Sequence, residues 1–218
     1  MLIAINKAHY PVTVLGPGQR IGIWFQGCRI HCPGCVSQDT WAADPGKRMP
    51  LHELVDWCRR VGANGCDGIT LSGGEPFDQP QALGALLDAL HDWRRSAGRE
   101  FDILCYSGYP LKRLRERHAP LLKKLDALIP EPYVDTLPLS HLWRGSQNQP
   151  LIPLAAPGER IYHDYLDAAA DQGSKRLQIE VDGNRLWSIG LPARGDLAAL
   201  EAQAAERGLR LDHASWKS

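Results

Sequence analysis

Along the first 130 residues, short apolar runs alternate with longer stretches in which apolar residues recur every three or four positions. The short runs predict strands at 2–5, 21–25, 68–71, 101–105 and 125–129. The helical spacing is clearest in 50–60 and 80–94, and each of these stretches begins with a proline. Strands that alternate with helices in this way indicate βα units with a parallel sheet, so we expect an α/β fold.

The pattern changes near the C-terminus. Polar and apolar residues alternate over 176–181, an Asp182-Gly183 pair follows, and a second apolar run covers 186–189. An Asp-Gly pair between two such runs is a strong hairpin signal. Asp196 can cap a helix that follows. We therefore expect a C-terminal β-hairpin-plus-helix extension.

Composition excludes several classes of partner. The 218 residues are 44% hydrophobic and 23% charged, as in an ordinary soluble globular protein. Lys+Arg and Asp+Glu are equal at 25 each, which favours neither nucleic acid nor a membrane surface as partner. The N-terminus lacks the apolar core of a signal peptide, and no apolar run is long enough to span a bilayer. We expect a cytoplasmic protein, where thiols stay reduced and available to metal.

Three of the six cysteines are clustered, with the spacing C-x3-C-x2-C at Cys28, Cys32 and Cys35, directly after the strand predicted at 21–25. Three thiols this close cannot all pair as disulfides, but they can bind one soft metal centre. A tetrahedral zinc site needs a fourth protein ligand. A [4Fe–4S] cluster held by three thiolates keeps one iron open.

The alternative to a [4Fe–4S] cluster is a structural zinc knuckle with His31 as the fourth ligand. Neighbouring side chains diverge, so His31 and Cys32 would have difficulty reaching the same ion. A redox-active thiol pair is a weaker alternative. Elsewhere, Cys58 and Cys105 lie in apolar patterns and are expected to be buried as small hydrophobic side chains.

A second motif, Gly73-Gly74-Glu75-Pro76, follows the strand predicted at 68–71. Two glycines let the backbone approach a ligand closely. In a barrel-like βα fold, reactive groups gather at the carboxyl ends of the strands, where the cysteine loop also lies. We therefore expect a small-molecule binding edge beside the metal centre, which a zinc knuckle would leave unexplained.

Taken in order, these motifs resemble those of the radical S-adenosylmethionine (SAM) enzymes. More narrowly, they resemble the activating proteins of glycyl radical enzymes, above all that of anaerobic ribonucleotide reductase. The matching pieces cover roughly residues 11–153 and are Gly16-Pro17-Gly18-Gln19-Arg20, Gln26-Gly27-Cys28, Cys32-Pro33-Gly34-Cys35 with Thr40-Trp41, Ser72-Gly73-Gly74-Glu75-Pro76, Ser107-Gly108-Tyr109 and Trp143-Arg144-Gly145-Ser146-Gln147-Asn148-Gln149. Each piece alone is weak, whereas the ordered set is strong.

The resemblance implies a fold and a pair of cofactors. The fold would be an incomplete (β/α) radical SAM barrel. Cys28, Cys32 and Cys35 would hold a [4Fe–4S] cluster whose open iron takes the amino and carboxylate groups of SAM. The reduced cluster would donate an electron to the sulfonium, releasing methionine and a 5′-deoxyadenosyl radical that takes a hydrogen atom from the substrate. Because the cofactors carry this chemistry, no catalytic side-chain acid or base is assigned.

The resemblance also implies which residues surround the cofactor. The cofactor-binding residues would be Gly34, Val36, Gly73, Gly74, Glu75 and Pro76. Backbone groups around Gly73, Gly74 and Glu75 would meet the methionyl ammonium, and Gly34 and Val36 would border SAM. Arg144, Ser146 and Asn148 would contact the substrate or partner, or would simply bond their own loop together.

The substrate implied by the resemblance is a glycyl radical enzyme, with anaerobic ribonucleotide reductase as the first candidate. A low-potential electron donor such as flavodoxin is implied as well. The alternative is a radical SAM enzyme that acts on a peptide or a small heterocycle. A non-enzymatic iron–sulfur or zinc protein is a distant third.

The chain departs from the family pattern at three places. Leu15 stands where the family usually has a polar residue before Gly-Pro-Gly. The fourth strand leads into Pro130-Glu131-Pro132-Tyr133 where the family has Val-Asp-Gly, so a polar group expected near SAM is missing. The compact members of the family end soon after the Arg-Gly-Ser motif. We therefore predict a radical SAM core domain at 1–153 and an extension of unassigned role at 154–218.

Overall fold

The computed structural model describes residues 1–170, 176–183 and 185–210. Within these residues, one sheet contains the strands β1 (Leu2–Val12), β2 (Arg20–Phe25), β3 (Arg48–Pro50), β4 (Gly68–Gly73), β5 (Asp102–Tyr106), β6 (Ala127–Ile129) and β7 (Ile152–Pro153). Their order across the sheet is β3-β1-β2-β4-β5-β6-β7. The neighbours β2, β4, β5 and β6 run parallel, while β1, β3 and β7 pair antiparallel.

Helices connect the parallel strands, as the sequence pattern predicted. They are α1 (Leu51–Val61) before β4, α2 (Pro80–Ser96) between β4 and β5, and α3 (Leu111–Leu122) between β5 and β6. This confirms the α/β class and the incomplete (β/α) barrel. Among the described residues, no helix combines the length and the apolar character needed to cross a membrane.

The predicted C-terminal extension is also present. A short helix, α4 (Ala156–Tyr162), is followed by the hairpin strands β8 (Leu177–Asp182) and β9 (Arg185–Gly190) and by α5 (Asp196–Glu206). Asn184, part of the expected hairpin turn, lies outside the described residues. The prediction that Asp196 caps the last helix was wrong: Asp196 is its first residue, and its carboxylate accepts a hydrogen bond from the Ala193 amide at 2.8 Å.

Side chains alternate between the two faces of the sheet, and both faces carry clusters of buried apolar residues. The helix-facing side holds the largest cluster of buried apolar residues, to which the strands contribute Ile21, Ile23, Phe25, Ile69, Leu71, Ile103 and Leu128. Cys58 and Cys105 are fully buried in the same cluster, as expected. The inner, concave face carries Trp24, Leu104, Ala127 and Ile129 in two separate buried clusters.

A buried ionic network links the amino-terminal ends of β2 and β5. Both terminal nitrogens of Arg20 donate to the Asp102 carboxylate at 2.8 Å, and Arg20 Nε donates to Thr70 Oγ1 at 2.6 Å. Tyr162 Oη donates to Asp102 Oδ2 at 2.5 Å. Burial lowers the pKa of Arg20, but Tyr162 and Asp102 raise it by more, so its pKa lies above the ordinary value. The guanidinium therefore stays charged in the protein interior.

The C-terminal segment covers the inner face of the sheet. Tyr162 packs with the inner-face residues of β5 and β6, and Ile189 packs against Leu15 and Trp24. The Gln178 side chain accepts from the Thr13 amide at 2.9 Å and donates to the Pro11 carbonyl at 2.7 Å. The division into 1–153 and 154–218 stays a prediction, and these contacts join the two parts along the inner face.

Candidate active site

A solvent-open cavity lies at the carboxyl ends of the parallel strands. The loops after β2, β4 and β5 border it, as expected for reactive groups in a βα fold. Of the residues predicted for the site, those that line the cavity are Cys28, Cys32, Cys35, Val36, Gly73, Gly74 and Glu75. The two motifs that the sequence singled out therefore meet in one place.

Backbone hydrogen bonds hold the cysteine loop in shape. The Gly27 amide donates to the Thr40 carbonyl at 2.7 Å, and the Cys28 amide donates to the Trp41 carbonyl at 3.0 Å. Two amides point at sulfur: that of Ile30 at Cys28 Sγ (3.5 Å) and that of Ser37 at Cys35 Sγ (3.4 Å). Hydrogen bonds of this kind to the ligand sulfurs stabilise a bound iron–sulfur cluster and tune its potential.

The loop offers three thiols to one cavity. Among the described residues, no three His, Cys, Asp or Glu side chains are arranged around one metal ion. In a [4Fe–4S] cluster each thiolate binds a different iron, so the three sulfurs need not converge. His31, the fourth ligand of the zinc alternative, stacks on Trp41 with ring centroids 4.6 Å apart. Three soft thiols lining one cavity are a donor set suited to an iron–sulfur cluster.

The two glycines at the carboxyl end of β4 let the loop that follows it touch the cysteine loop. A Cβ on Gly74 would lie 2.3 Å from the Gly27 carbonyl oxygen, and one on Gly73 would lie 2.6 Å from the Phe25 nitrogen. The Gly74 amide donates to the Phe25 carbonyl at 2.9 Å, and the Glu75 amide donates to the Gly27 carbonyl at 2.8 Å. The glycines thus serve contact between the two loops, and the approach of a ligand to them stays a prediction.

Glu75 joins the loop after β4 to the loop after β5. Its buried carboxylate accepts from the Phe77 amide at 3.0 Å, from Ser107 Oγ at 2.9 Å and from the Gly108 amide at 2.8 Å. Burial raises the pKa of Glu75 to about 7, although these three donors act in the opposite direction. The Glu75 side chain therefore bonds within the protein, and the Glu75 backbone amide bonds to the cysteine loop.

Asp78 adds a second link between loops. Its carboxylate accepts from Tyr109 Oη at 2.6 Å and from the Arg29 amide at 3.1 Å. Burial, together with the hydrogen bond to Asp78, raises the pKa of Tyr109 to about 12. The cysteine loop and the loops after β4 and β5 are thus bonded to one another around the cavity.

Two of the predicted cofactor-binding residues lie outside the lining of the cavity. Gly34 has a φ of +74°, and a Cβ there would lie 2.7 Å from the side chain of Asp135. Pro76 is buried at the start of a short 3-10 turn. Their contact with SAM stays a prediction, and so does that of Val36, Gly73, Gly74 and Glu75, which do border the cavity.

The candidate partner residues make bonds within the chain. Ser146 Oγ donates to Asn148 Oδ1 at 2.7 Å and accepts from the Val134 amide at 3.1 Å, while Asn148 Nδ2 donates to the Pro132 carbonyl at 2.9 Å. Arg144 is buried and donates to the Leu166 carbonyl. These contacts agree with the reading that the loop bonds itself together, and a partner role stays a prediction.

The structure adds site residues that the sequence did not indicate. In the stretch that departs from the family pattern, Tyr133 lines the cavity. Burial raises the pKa of the Cys32 thiol, and a hydrogen bond from the Tyr133 backbone acts in the opposite direction. Glu131 has a φ of +83°, and its carboxylate accepts from the Leu111 amide at 3.0 Å, at the start of α3. No periodicity marks either residue, and the signal available was only the unusual Pro-Glu-Pro-Tyr sequence.

Comparisons with known proteins agree with this site. A family model described as a 4Fe-4S single cluster domain matches residues 14–152. The chain is 32% identical over 143 residues to the anaerobic ribonucleoside-triphosphate reductase-activating protein of Enterobacteria phage T4, covering 65% of this chain and 89% of that protein. The protein of the same name from Escherichia coli K12 is 31% identical over 150 residues, covering 65% and 93%.

More distant similarities concern shorter parts of the chain. The pyruvate formate-lyase 1-activating enzyme of Escherichia coli K12 is 35% identical over 92 residues, which are 40% of this chain and 34% of that enzyme. Among solved structures, QueE from Escherichia coli has a TM-score of 0.41 and 19% identity, covering 50% of this chain and 53% of QueE, and no conclusion rests on it. On the family model and the activating proteins, the chain belongs to the radical SAM activating enzymes, whose cofactors are a [4Fe–4S] cluster and SAM.

Proposed function

We propose that this enzyme generates a glycyl radical on a partner enzyme, with anaerobic ribonucleotide reductase as the first candidate. One observation carries the proposal. The cysteine loop and the Gly73–Glu75 loop form one cavity in a chain that covers 89% of a protein named as an activator of that reductase. Such a partner would accept the radical at a glycine of its own chain.

Two parts of the chain, the cysteine loop and the Gly73–Glu75 loop, would hold the cofactors. Cys28, Cys32 and Cys35 would bind three irons and keep the fourth open for the amino and carboxylate groups of SAM. A cluster and SAM held in this way would supply one-electron reductive chemistry, with methionine as one product and hydrogen-atom abstraction from the substrate as the outcome. Backbone groups of the Gly73–Glu75 loop would border the methionyl ammonium, and the Glu75 carboxylate would keep that loop in position.

The remaining partners belong to the same proposal. A low-potential donor such as flavodoxin would reduce the cluster, and neither nucleic acid nor a membrane would take part. A cytoplasmic location suits the three reduced thiols. Arg144, Ser146 and Asn148 would support the surface that receives the partner enzyme, since their loop carries the cavity-lining residues Gly145 and Gln149.

A second candidate is a radical SAM enzyme that acts on a peptide or a small heterocycle. It is favoured by Gly190, Leu191 and Pro192, which line the cavity although the match to the family model ends at residue 152. A cavity wall that lies beyond the matched region is a reason for the substrate to differ from that of the compact relatives.

The two candidates are separated by a paramagnetic resonance experiment. The anaerobically reconstituted enzyme is mixed with SAM, dithionite and anaerobic ribonucleotide reductase, and the frozen sample is examined for a stable glycyl doublet. The proposal expects a doublet on the reductase and none with Cys35→Ala. If SAM is cleaved and the reductase gains no doublet, this reductase is not the substrate, and peptides or heterocycles become the next compounds to test.

A further inference from the structure

One wall of the cofactor cavity comes from the C-terminal extension. Gly190, Leu191 and Pro192 lie at the end of β9 and line the cavity together with the three cysteines. They are outside the matched family region, which ends at residue 152. The cavity is therefore built from two distant parts of the chain.

Several contacts hold this wall in place. The Leu191 amide donates to the Arg176 carbonyl at 3.0 Å. Gly190 has a φ of +127°, and a Cβ there would lie 2.0 Å from the same carbonyl oxygen, so the turn into the wall requires glycine. The preceding residue, Ile189, is 3% exposed among the apolar side chains of the inner face. The wall is thus set by packing and hydrogen bonds before any ligand binds.

The cavity lining combines two chemically different surfaces. The cysteine loop and the Gly73–Glu75 loop, which are hydrogen-bonded to each other, provide thiols and backbone polar groups. Leu15 and Trp24 pack in one apolar cluster with Leu191 and Tyr106 against it, and all four line the cavity. A ligand that spans this cavity would meet both surfaces, and one with a polar, metal-binding end and an apolar end would match them.

SAM has these two ends. Its amino and carboxylate groups suit the open iron and the Gly73–Glu75 loop, whereas the adenine ring carries the aromatic surface. We propose that Leu191 and Pro192 form the wall that receives the adenosyl group of SAM, a cofactor contact that the extension supplies. This rests on the cofactor of the family and not on the identity of the partner enzyme.

Binding without turnover tests the proposal. The anaerobically reconstituted, unreduced holoenzyme of wild type and of Leu191→Ala is titrated with SAM in a calorimeter. We expect the variant to raise the Kd of SAM about tenfold, which is the order of effect when most of a leucine side chain is removed from an apolar contact. Leu191→Met, which keeps the apolar volume, should restore most of the affinity.

Fragments of SAM locate the contact. The Kd of 5′-methylthioadenosine should rise in Leu191→Ala, whereas the Kd of methionine should stay within twofold of wild type. Val181→Ala is the matched control, since Val181 lies on the same hairpin and is 74% exposed. Thermal unfolding of the ligand-free holoenzymes shows whether each variant is folded.

Two results would overturn the proposal. If a folded Leu191→Ala enzyme binds SAM as wild type does, the wall does not touch the cofactor, even where its transfer of the radical to a substrate is reduced. If the affinities for methionine and 5′-methylthioadenosine fall equally, the substitution disturbs the whole cavity and not an adenosyl contact. Failure to activate a reductase has no bearing on either result, so the two proposals can fail separately.

Discussion

The carboxylate of Glu75 accepts a hydrogen bond from the hydroxyl of Ser107 at 2.9 Å, and both side chains are buried. This contact joins the loops that follow two adjacent parallel strands, at the edge where the cysteine loop also lies. The Glu75 amide meanwhile donates to the carbonyl of Gly27, which directly precedes Cys28, the first of the predicted cluster ligands. One residue therefore bonds to both neighbouring loops of the candidate site.

Glu75 should make stability depend on pH. Its pKa is raised from 4.5 to about 7 in the folded enzyme, so between these values the folded state binds more protons than the unfolded state. Stability should therefore fall as pH rises from about 4.5 to about 7, by up to about 3 kcal/mol from this group. In Glu75→Gln that part of the slope should vanish.

Urea unfolding of the holoenzyme between pH 5.5 and 7.5 measures this difference. Subtracting the variant from wild type cancels the other titrating groups. A variant whose stability changes with pH as steeply as that of wild type would show that Glu75 is not held with a raised pKa.

The cysteines should separate into ligands and packing residues. Cys28→Ala should lose most of the iron bound after anaerobic reconstitution, because it removes one of three cluster ligands. Cys66→Ala should keep the iron, since Cys66 is buried in the core and its thiol donates to the Gly68 carbonyl. Iron and sulfide analysis with the absorbance spectrum gives the answer, and equal iron loss in both variants would contradict the assignment.

Gly74→Ala should damage the site through a steric clash. Its Cβ would lie 2.3 Å from the Gly27 carbonyl oxygen, so the loop after β4 would have to move away from the cysteine loop. We expect a loss of about 1–3 kcal/mol in the free energy of unfolding and weaker binding of SAM. Gly46→Ala in an exposed turn is the control, with its nearest contact at 3.2 Å to Asp44.

Calorimetric titration and urea unfolding measure both effects. The explanation would be wrong if Gly74→Ala bound SAM as tightly as the Gly46→Ala control.

The ionic network at the other end of the barrel should govern stability and not chemistry. Asp102→Ala would leave the guanidinium of Arg20 buried without its partner, which costs about 3–5 kcal/mol. Tyr162→Phe removes one hydrogen bond to the same carboxylate and should cost about 1–2 kcal/mol. Arg59→Ala, which breaks an exposed pair with Asp56, should cost less than about 0.5 kcal/mol.

Urea unfolding orders the three variants. A Tyr162→Phe enzyme as stable as wild type would mean that the extension is not held to the barrel by this bond.

The sequence predicted the strands, the helices and the cysteine loop because their signals are local. Apolar periodicity marks α1 and α2 within a few residues, and the spacing of Cys28, Cys32 and Cys35 limits the metal centre without any tertiary information. The order of the βα units also placed the Gly73–Glu75 loop at the same edge of the sheet.

The remaining features depend on contacts between distant residues. Nothing near Glu75 shows that its carboxylate will bond Ser107, 32 residues away. Glu131 takes a backbone conformation that favours glycine because its amide donates to the Tyr109 carbonyl while its own carbonyl accepts from the Gln149 side chain. Leu191 reaches the cavity only through the packing of the hairpin on the inner face of the sheet.

The central claim is that the cysteine loop and the Gly73–Glu75 loop form one site for a [4Fe–4S] cluster and SAM. It is tested most directly by measuring 5′-deoxyadenosine after the anaerobically reconstituted enzyme is incubated with SAM and dithionite. Wild type should form 5′-deoxyadenosine and methionine in equal amounts, and Cys32→Ala should form neither. A wild-type enzyme that holds its full complement of iron and binds SAM, yet forms no 5′-deoxyadenosine, would contradict the account.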